Sequence, residues 1–250
     1  MPKAALVTGG GVRIGRALAL ELARSGAAVA VHYNTSQAPA NEVVAEIVRA
    51  GGRAVAVPAD LADLRDTETL VDRAAAAIGS LDCLVNNASR FERDEWNTLT
   101  PESWAAHLDI NLRAPMLLAQ AFAKQLRPGV EGNIVNLLDQ RVWRLTPHFT
   151  SYTVSKAGLW TLTQTLAQAL APRIRVNGIG PGPVLPSPRQ SQAQFDASCR
   201  ATPLGRGAAP EEIAAALTFI LNARAMTGQM IALDGGQHVA WRTASTSVPE

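Results

Sequence analysis

The chain has 250 residues, of which 47% are hydrophobic and 18% charged, with a formal net charge of +2 at pH 7. That length suits one domain with a full core, and that balance excludes a disordered chain. No run of Lys or Arg is present to follow a phosphate backbone, so nucleic acid is not an expected partner.

Apolar strand runs alternate with amphipathic helix patterns from end to end. AALV at 4–7 reads as a buried strand, and RIGRALALELARSG at 13–26 as a helix stopped by Gly26. AAVAVHY (27–33) is a second strand and NEVVAEIVRAGG (41–52) a second helix. RAVAVPAD (53–60) is a third strand, followed by a helix over roughly 64–79. DCLVNNAS (82–89) is a fourth strand, and a long helical region runs from 100 to about 126. GNIVNLL (132–138) is the fifth strand, SYTVSKAGLWTLTQTLAQALA (151–171) a helix, and RIRVNGIGPG (173–182) the sixth strand with its exit loop. APEEIAAALTFIL (209–221) is a further helix and QMIALDGG (229–236) a last strand. Continuous apolar strands separated by such helices predict an α/β fold, a parallel sheet covered on both faces. The stretch 180–200, rich in Pro, Gly, Ser and Gln, reads as an extended irregular lid.

Cys83 and Cys199 stand alone, with no CxxC or zinc spacing, as expected in a reducing compartment. The opening MPKAALVTGG enters a strand pattern at once, so no signal peptide is expected. No apolar stretch has bilayer length. A cytoplasmic protein without membrane partners is the expectation.

Ligands of an open parallel sheet gather beyond the carboxyl ends of its strands. Thr8–Gly15, TGGGVRIG, joins strand one to a helix. Its glycines let the backbone turn tightly beside a pyrophosphate that faces the helix N–H groups. After strand two, His32-Tyr33-Asn34-Thr35-Ser36 offers no carboxylate for free ribose hydroxyls. A 2′-phosphate meets no repulsion there, His32, Thr35 and Ser36 can donate to it, and Arg13 can add charge. This favours NADP; the alternative is an ordinary polar turn. Asp60-Leu61 follows strand three, where the Asp either accepts from an adenine amino group or caps the next helix. NNAS at 86–89 either lets a nucleotide lie across the strand end or pins strand backbone. Tyr152 and Lys156 share a helix face at i, i+4. A neighbouring ammonium lowers a phenol pKa and can hold a ribose, so Tyr152 is expected to shuttle a proton near neutral pH.

In that order, TGGGVRIG, NNAS, YTVSK and PGPV resemble the short-chain dehydrogenase/reductase superfamily, from Thr8 to Gly236. The resemblance implies one Rossmann-like, doubly wound domain of about seven strands over 1–250. It also implies a substrate loop at about 180–205 and a short tail at about 237–250. NADPH/NADP would lie on Gly9, Arg13, Ile14 and Gly15, on the 32–36 turn, on Asp60 and Leu61, and on Asn87, Ala88 and Ser89. Lys156 would be both ribose ligand and partner of the acid Tyr152. Pro181 and Gly182 would border the nicotinamide. Asn111, in DINLRAP, would match the helix asparagine that helps hold a proton-relay water.

Two residues depart from the common pattern. Arg13 stands where most members have Gly, and Asp139 stands where most have Ser, 13 residues before the Tyr. An ionised carboxylate cannot donate to a ketone and repels a developing alkoxide. It suits a substrate with N–H groups or a basic ring nitrogen. Arg13, HYNTS, NNASRF and Asp139 together resemble the pteridine reductase branch. That resemblance implies Arg13 on pyrophosphate and substrate, Ser89 at the pterin edge, and Phe91 stacked on the pterin against nicotinamide. Asp139 and Tyr152 would deliver a proton to a ring nitrogen as hydride reaches the adjacent carbon. Thr35 departs from this branch, which often has a basic residue on the 2′-phosphate. Simpler readings make Asp139 an ion-pair partner of Arg141 or Arg144, and Phe91 a loop aromatic.

The expected function is NADPH-dependent reduction of a dihydropterin, pterin or dihydrofolate. The alternatives are a carbonyl or ketoacyl reductase on the same Tyr–Lys site, and a non-catalytic NADP-sensing protein. His107 and His238 give no metal spacing, so no metal is expected. Members of the superfamily commonly pair the helices at 101–126 and 151–170, so a homotetramer is expected. In some relatives the tail, here HVAWRTASTSVPE, reaches a neighbour's site.

Overall fold

Short runs of Val, Ile, Leu and Ala without polar alternation have no face fit for water, so they must lie in the middle of a layered fold. The seven strands are β1 (Ala4–Val7), β2 (Ala28–Tyr33), β3 (Ala54–Pro58), β4 (Cys83–Asn86), β5 (Gly132–Leu137), β6 (Ile174–Pro181) and β7 (Met230–Leu233). In a computed structural model, which describes residues 1–241, they form one sheet in the order β3-β2-β1-β4-β5-β6-β7. Every pairing is parallel. The chain winds outward from β1 through β2 to β3, then returns to β4 on the other side of β1. The crevice at this reversal, between β1 and β4, is where such sheets bind ligands.

The helices are α1 (Arg13–Arg24), α2 (Gln37–Arg49), α3 (Leu64–Ile78), α4 (Pro101–Leu108), α5 (Ala114–Gln125), α6 (Thr150–Leu170), α7 (Gln192–Arg200) and α8 (Pro210–Asn222). Successive strand residues point to opposite faces. Ala5 and Val7 pack with Leu18 of α1, Val43 of α2 and Leu217 of α8. Ala4 and Leu6 pack with Leu70 of α3, Phe122 of α5 and Ala167 of α6. Among the described residues, no helix is long and apolar enough to cross a membrane.

Three elements differ from the sequence reading. Helix α2 begins at Gln37, four residues before Asn41, because Pro39 falls in its first turn. There its missing N–H leaves no hydrogen bond unmade. The region 100–126 is α4 and α5 joined through a π-helical turn at Asp109–Arg113. The lid is not wholly irregular, because it contains α7, opened by a reciprocal capping box between Ser191 and Gln194. The tail reading falls largely on residues 242–250, which lie outside the described residues.

Arg175 closes one end of the fold. From β6 it donates to the carbonyls of Ile220, Leu221, Ala223 and Met226 at 3.0, 3.0, 3.1 and 2.8 Å. Carbonyls at a helix end have no partner within the helix. Arg175→Met should therefore lower the unfolding free energy by about 3 kcal/mol, read as a lower urea midpoint.

Candidate active site

Three strand ends are tied together where the cleft begins. Thr8 Oγ1 donates to Val85 O (3.3 Å) and accepts from the backbone N–H groups of Asn87 (2.9 Å) and Ala88 (3.0 Å). Asn87 Nδ2 donates to the carbonyls of Thr8 (2.8 Å) and Gly9 (3.1 Å). Gly9 sits at φ +59°, a region that costs glycine nothing. A Cβ on Gly15 would stand 2.0 Å from Gly9 O and 2.6 Å from Asn87 Nδ2. Only glycine lets α1 start this close to the loop.

His32 belongs to this framework, which corrects the reading of it as a phosphate donor. Gly9 N–H donates to its Nδ1 (2.9 Å), so the proton sits on Nε2 and is donated to Ala59 O (3.1 Å). Burial pushes its pKa down to about 4, and both ring nitrogens are engaged. Asn34 Nδ2 reaches Asp60 Oδ1 at 3.4 Å, and that oxygen also accepts from Ala62 N–H at 2.9 Å. Leu61 is a core residue, 5% exposed. Tyr33 packs against the core, Thr35 is exposed, and Ser36 opens α2 without a side-chain cap.

The cleft has a volume of about 770 Å³. Gly9, Arg13, Ile14 and Gly15 form one wall, and Asn87, Ala88, Ser89 and Phe91 continue it. Asp139, Tyr152, Lys156, Pro181 and Gly182 line it further on. A smaller adjoining space is lined by Asn34, Asp60, Leu61 and Ser89. Tyr33, Thr35 and Ser36 line neither.

The Tyr152 hydroxyl donates to Asp139 Oδ2 at 2.8 Å. Asp139 also accepts from Arg141, through backbone N–H (2.8 Å) and Nη1 (3.1 Å). The ion-pair reading of Asp139 is met by Arg141, and the same carboxylate lines the cleft beside Tyr152. Burial, reinforced by Asp139, pushes the Tyr152 phenol well above its ordinary pKa of 10. This reverses the expected lowering by Lys156. The phenol stays protonated at neutral pH. Lys156 is 2% exposed and donates to Leu137 O at 2.6 Å. Burial pushes its pKa down to about 8, against an opposing pull from Asp139.

Asp94, which the sequence reading missed, sets the start of the helix carrying both groups. Its carbonyl accepts from the N–H groups of Phe149 (2.8 Å) and Thr150 (3.2 Å). Its carboxylate accepts from Ser151 N–H (3.1 Å), Ser103 Oγ (3.1 Å) and Ser151 Oγ. Burial raises the Asp94 pKa, but these hydrogen bonds outweigh it and the net shift is downward. An acid 55 residues upstream of Phe149 gives no local capping pattern to read.

Asn111 lies on the π-helical turn and does not line the cleft. Its amide donates to Arg90 O (3.0 Å) and Ser155 Oγ (3.0 Å) and accepts from Arg90 N–H (2.8 Å) and Ser89 Oγ (3.2 Å). The side chain expected beside a relay water is engaged in clamping the loop before Phe91.

Arg13 is likewise relocated. It sits at φ +53°, and its guanidinium donates to Pro186 O (2.7 Å) and Leu185 O (3.0 Å) of the lid. It latches the lid to the glycine loop rather than standing open to a pyrophosphate. Arg189 fixes the lid from the other wall by donating to Phe91 O. The Phe91 ring stacks on Phe149 (4.6 Å, 11°) and meets Tyr152 edge-on (4.7 Å, 69°). Arg141 lies 5.5 Å from the centroid of Phe91 and 5.2 Å from that of Phe149.

Lys156 gives a pH response of definite sign. Between its folded pKa of about 8 and its ordinary 10.5, the unfolded chain holds more protons. The cost of the buried charge is present below pH 8 and is relieved as pH rises through that window. Relative to Lys156→Met, the parent should gain stability between pH 7 and pH 10. Urea unfolding of both proteins at the two pH values checks this.

Residues 11–238 match the family described as Enoyl-(Acyl carrier protein) reductase. The crystal structure of FolM, alternative dihydrofolate reductase 1, from Brucella canis complexed with NADP is 45% identical. It superposes with a TM-score of 0.94, covering 97% of this chain and 96% of that one. An uncharacterized oxidoreductase of Methylorubrum extorquens is 38% identical, over 94% of this chain and 97% of its own. A 3-oxoacyl-[acyl-carrier-protein] reductase of Synechocystis is 34% identical, over 93% of this chain and 95% of its own. With that coverage, that fold and the Tyr152–Lys156 pair in the cleft, the chain belongs to the short-chain dehydrogenase/reductase superfamily of oxidoreductases.

Proposed function

We propose that this protein is an NADPH-dependent pteridine reductase, acting on a dihydropterin, pterin or dihydrofolate. The observation that carries the reading is the 2.8 Å hydrogen bond from the Tyr152 hydroxyl to Asp139, beside the Phe91 ring. A ketone needs a donor where this chain presents a carboxylate. A ring nitrogen about to accept a proton is served by the acid pair.

The residues present fit a pyridine dinucleotide. Gly15 keeps the cleft clear at the start of α1, whose first N–H groups have no partner within the helix. The Lys156 ammonium has three donors, and Leu137 O takes one. The others suit ribose hydroxyls. NADPH, when bound, supplies the hydride. Pro181 and Gly182, which line the cleft, would border its ring, and the turn after β2 presents no carboxylate to a 2′-phosphate. The relative from Brucella canis, crystallised with NADP, supports this assignment. Phe91 orients a flat substrate ring, with Ser89 at its edge. Tyr152, held protonated by its raised pKa, is the proton source for a ring nitrogen, and its hydroxyl, which donates to Asp139 in the structure, turns from that carboxylate to donate to the substrate. Hydride on carbon and proton on nitrogen together convert a C=N bond to CH–NH.

A second reading is favoured by the Synechocystis relative: reduction of a ketoacyl thioester on the same Tyr–Lys pair. Incubation with NADPH and either dihydrobiopterin, dihydrofolate or an acetoacetyl thioester, followed at the nicotinamide absorbance band, separates the two. Turnover of the thioester alone would remove the pteridine reading. The proposal includes pairing of the α4–α5 and α6 surfaces into a homotetramer, which light scattering should weigh at roughly four times 26.4 kDa.

Tyr152→Phe should lower kcat by about 100-fold or more while NADPH affinity stays close to parent. Arg13→Gly releases a left-handed side-chain residue and also releases the lid. It should raise the pterin KM more than the NADPH Kd, with stability unchanged or up by about 1 kcal/mol. Steady-state kinetics and fluorescence titration read these outcomes.

A further inference from the structure

Gln140 follows Asp139 directly and opens a short 3₁₀ turn, Gln140–Val142. The fold uses its backbone carbonyl, which accepts from the N–H groups of Trp143 (3.0 Å) and Arg144 (3.2 Å). It does not use its side-chain oxygen. Gln140 is 3% exposed, and Oε1 has no hydrogen-bond partner among the described residues. Seven buried side-chain polar atoms share that condition, and two of them belong to residues lining the cleft. These are Gln140 Oε1 and Arg141 Nε, one acceptor and one donor on consecutive residues.

Burying a carboxamide without a partner costs stability, whereas an apolar side chain of similar shape fills the same space at no such cost. Met would fit here with no polar atom to satisfy. The fold makes no hydrogen bond to the amide oxygen, and because Gln140 lines the cleft, the cleft is the side from which a partner can reach the amide. Oε1 needs a donor, which the carbonyl of a ketone or thioester does not provide. The amide as a whole presents an acceptor beside two donors in one plane. Its complement is a lactam edge, an N–H beside a carbonyl.

We propose that Gln140 is a specificity-determining residue that reads the lactam edge of the substrate's pyrimidinone ring. This deepens the pteridine reading and rests on it. Asp139 and Tyr152 serve the nitrogen that is protonated, and Gln140 fixes which way round the ring lies. The nicotinamide carboxamide has the same chemistry, so the test must separate cofactor from substrate.

The decisive variant is Gln140→Met, assayed with NADPH and dihydrobiopterin. Its melting temperature should equal or exceed the parent's. Its NADPH Kd, by fluorescence titration without substrate, should stay within about twofold, while its dihydrobiopterin KM rises about tenfold or more with little change in kcat. An unchanged KM would overturn the proposal, and so would an NADPH Kd weakened in parallel, which would assign Gln140 to the cofactor. If Gln140→Met does not fold, Gln140→Glu keeps the shape and removes the donors. It should show the same KM rise, and an unchanged KM there is equally fatal. A parent enzyme inactive on dihydropterins would remove the pteridine reading and this proposal with it. Full parent activity retained in the variants removes this proposal alone.

Discussion

The cleft depends on the Asn87 side chain bridging the carbonyls of Thr8 and Gly9. A loop that makes room for a ligand strips its own backbone of partners, and unpaired buried backbone groups are costly. Asn87 satisfies those carbonyls from the end of β4, the Thr8 hydroxyl in return satisfies the N–H groups of Asn87 and Ala88, and His32 satisfies Gly9 N–H from β2. Three strand ends thereby move as one body at the place where the strand order reverses. Every other element of the site is hung from that body. The start of α1 rests against Gly9, and the loop to Phe91 continues directly from Ala88.

Burial sets the chemistry of the two central groups. The same low-polarity surroundings resist charge on Tyr152 and on Lys156, so one pKa rises and the other falls. The sequence pattern alone suggests a lysine that makes the phenol acidic. Within the fold, Asp139 is the closer electrostatic neighbour of the hydroxyl, and the phenol keeps its proton. A phenol that keeps its proton and an ammonium that loses its proton more readily than usual are consistent outcomes of one environment.

The strands are legible along the chain because apolar runs and glycine stops are local signals. So are the cleft residues from Gly9 to Gly15, from Asn87 to Phe91, and at Asp139, Tyr152 and Lys156, all of which follow strand ends or share a helix face. What was not legible depends on contacts distant in sequence. His32 reads as a polar turn residue until its two ring nitrogens are seen to be engaged. Arg13 reads as a phosphate ligand until the lid, 172 and 173 residues away, offers it two carbonyls. Helix α7 is different, since its Ser191–Gln194 capping box is a local signal that the irregular composition around it concealed.

Asp94 and Phe91 lie three residues apart on one loop. One caps the helix that carries Tyr152 and Lys156, and the other lines the cleft. The shape of the cleft and the placing of the Tyr152 hydroxyl therefore share a single stretch of backbone. Evolution toward a new substrate cannot retune residues 91–94 as an independent module. Any shift of that loop that reshapes the ring pocket also moves the first turn of α6, so changes in preference come coupled to changes in turnover unless a second substitution re-anchors the helix. Divergence at this site proceeds by paired steps.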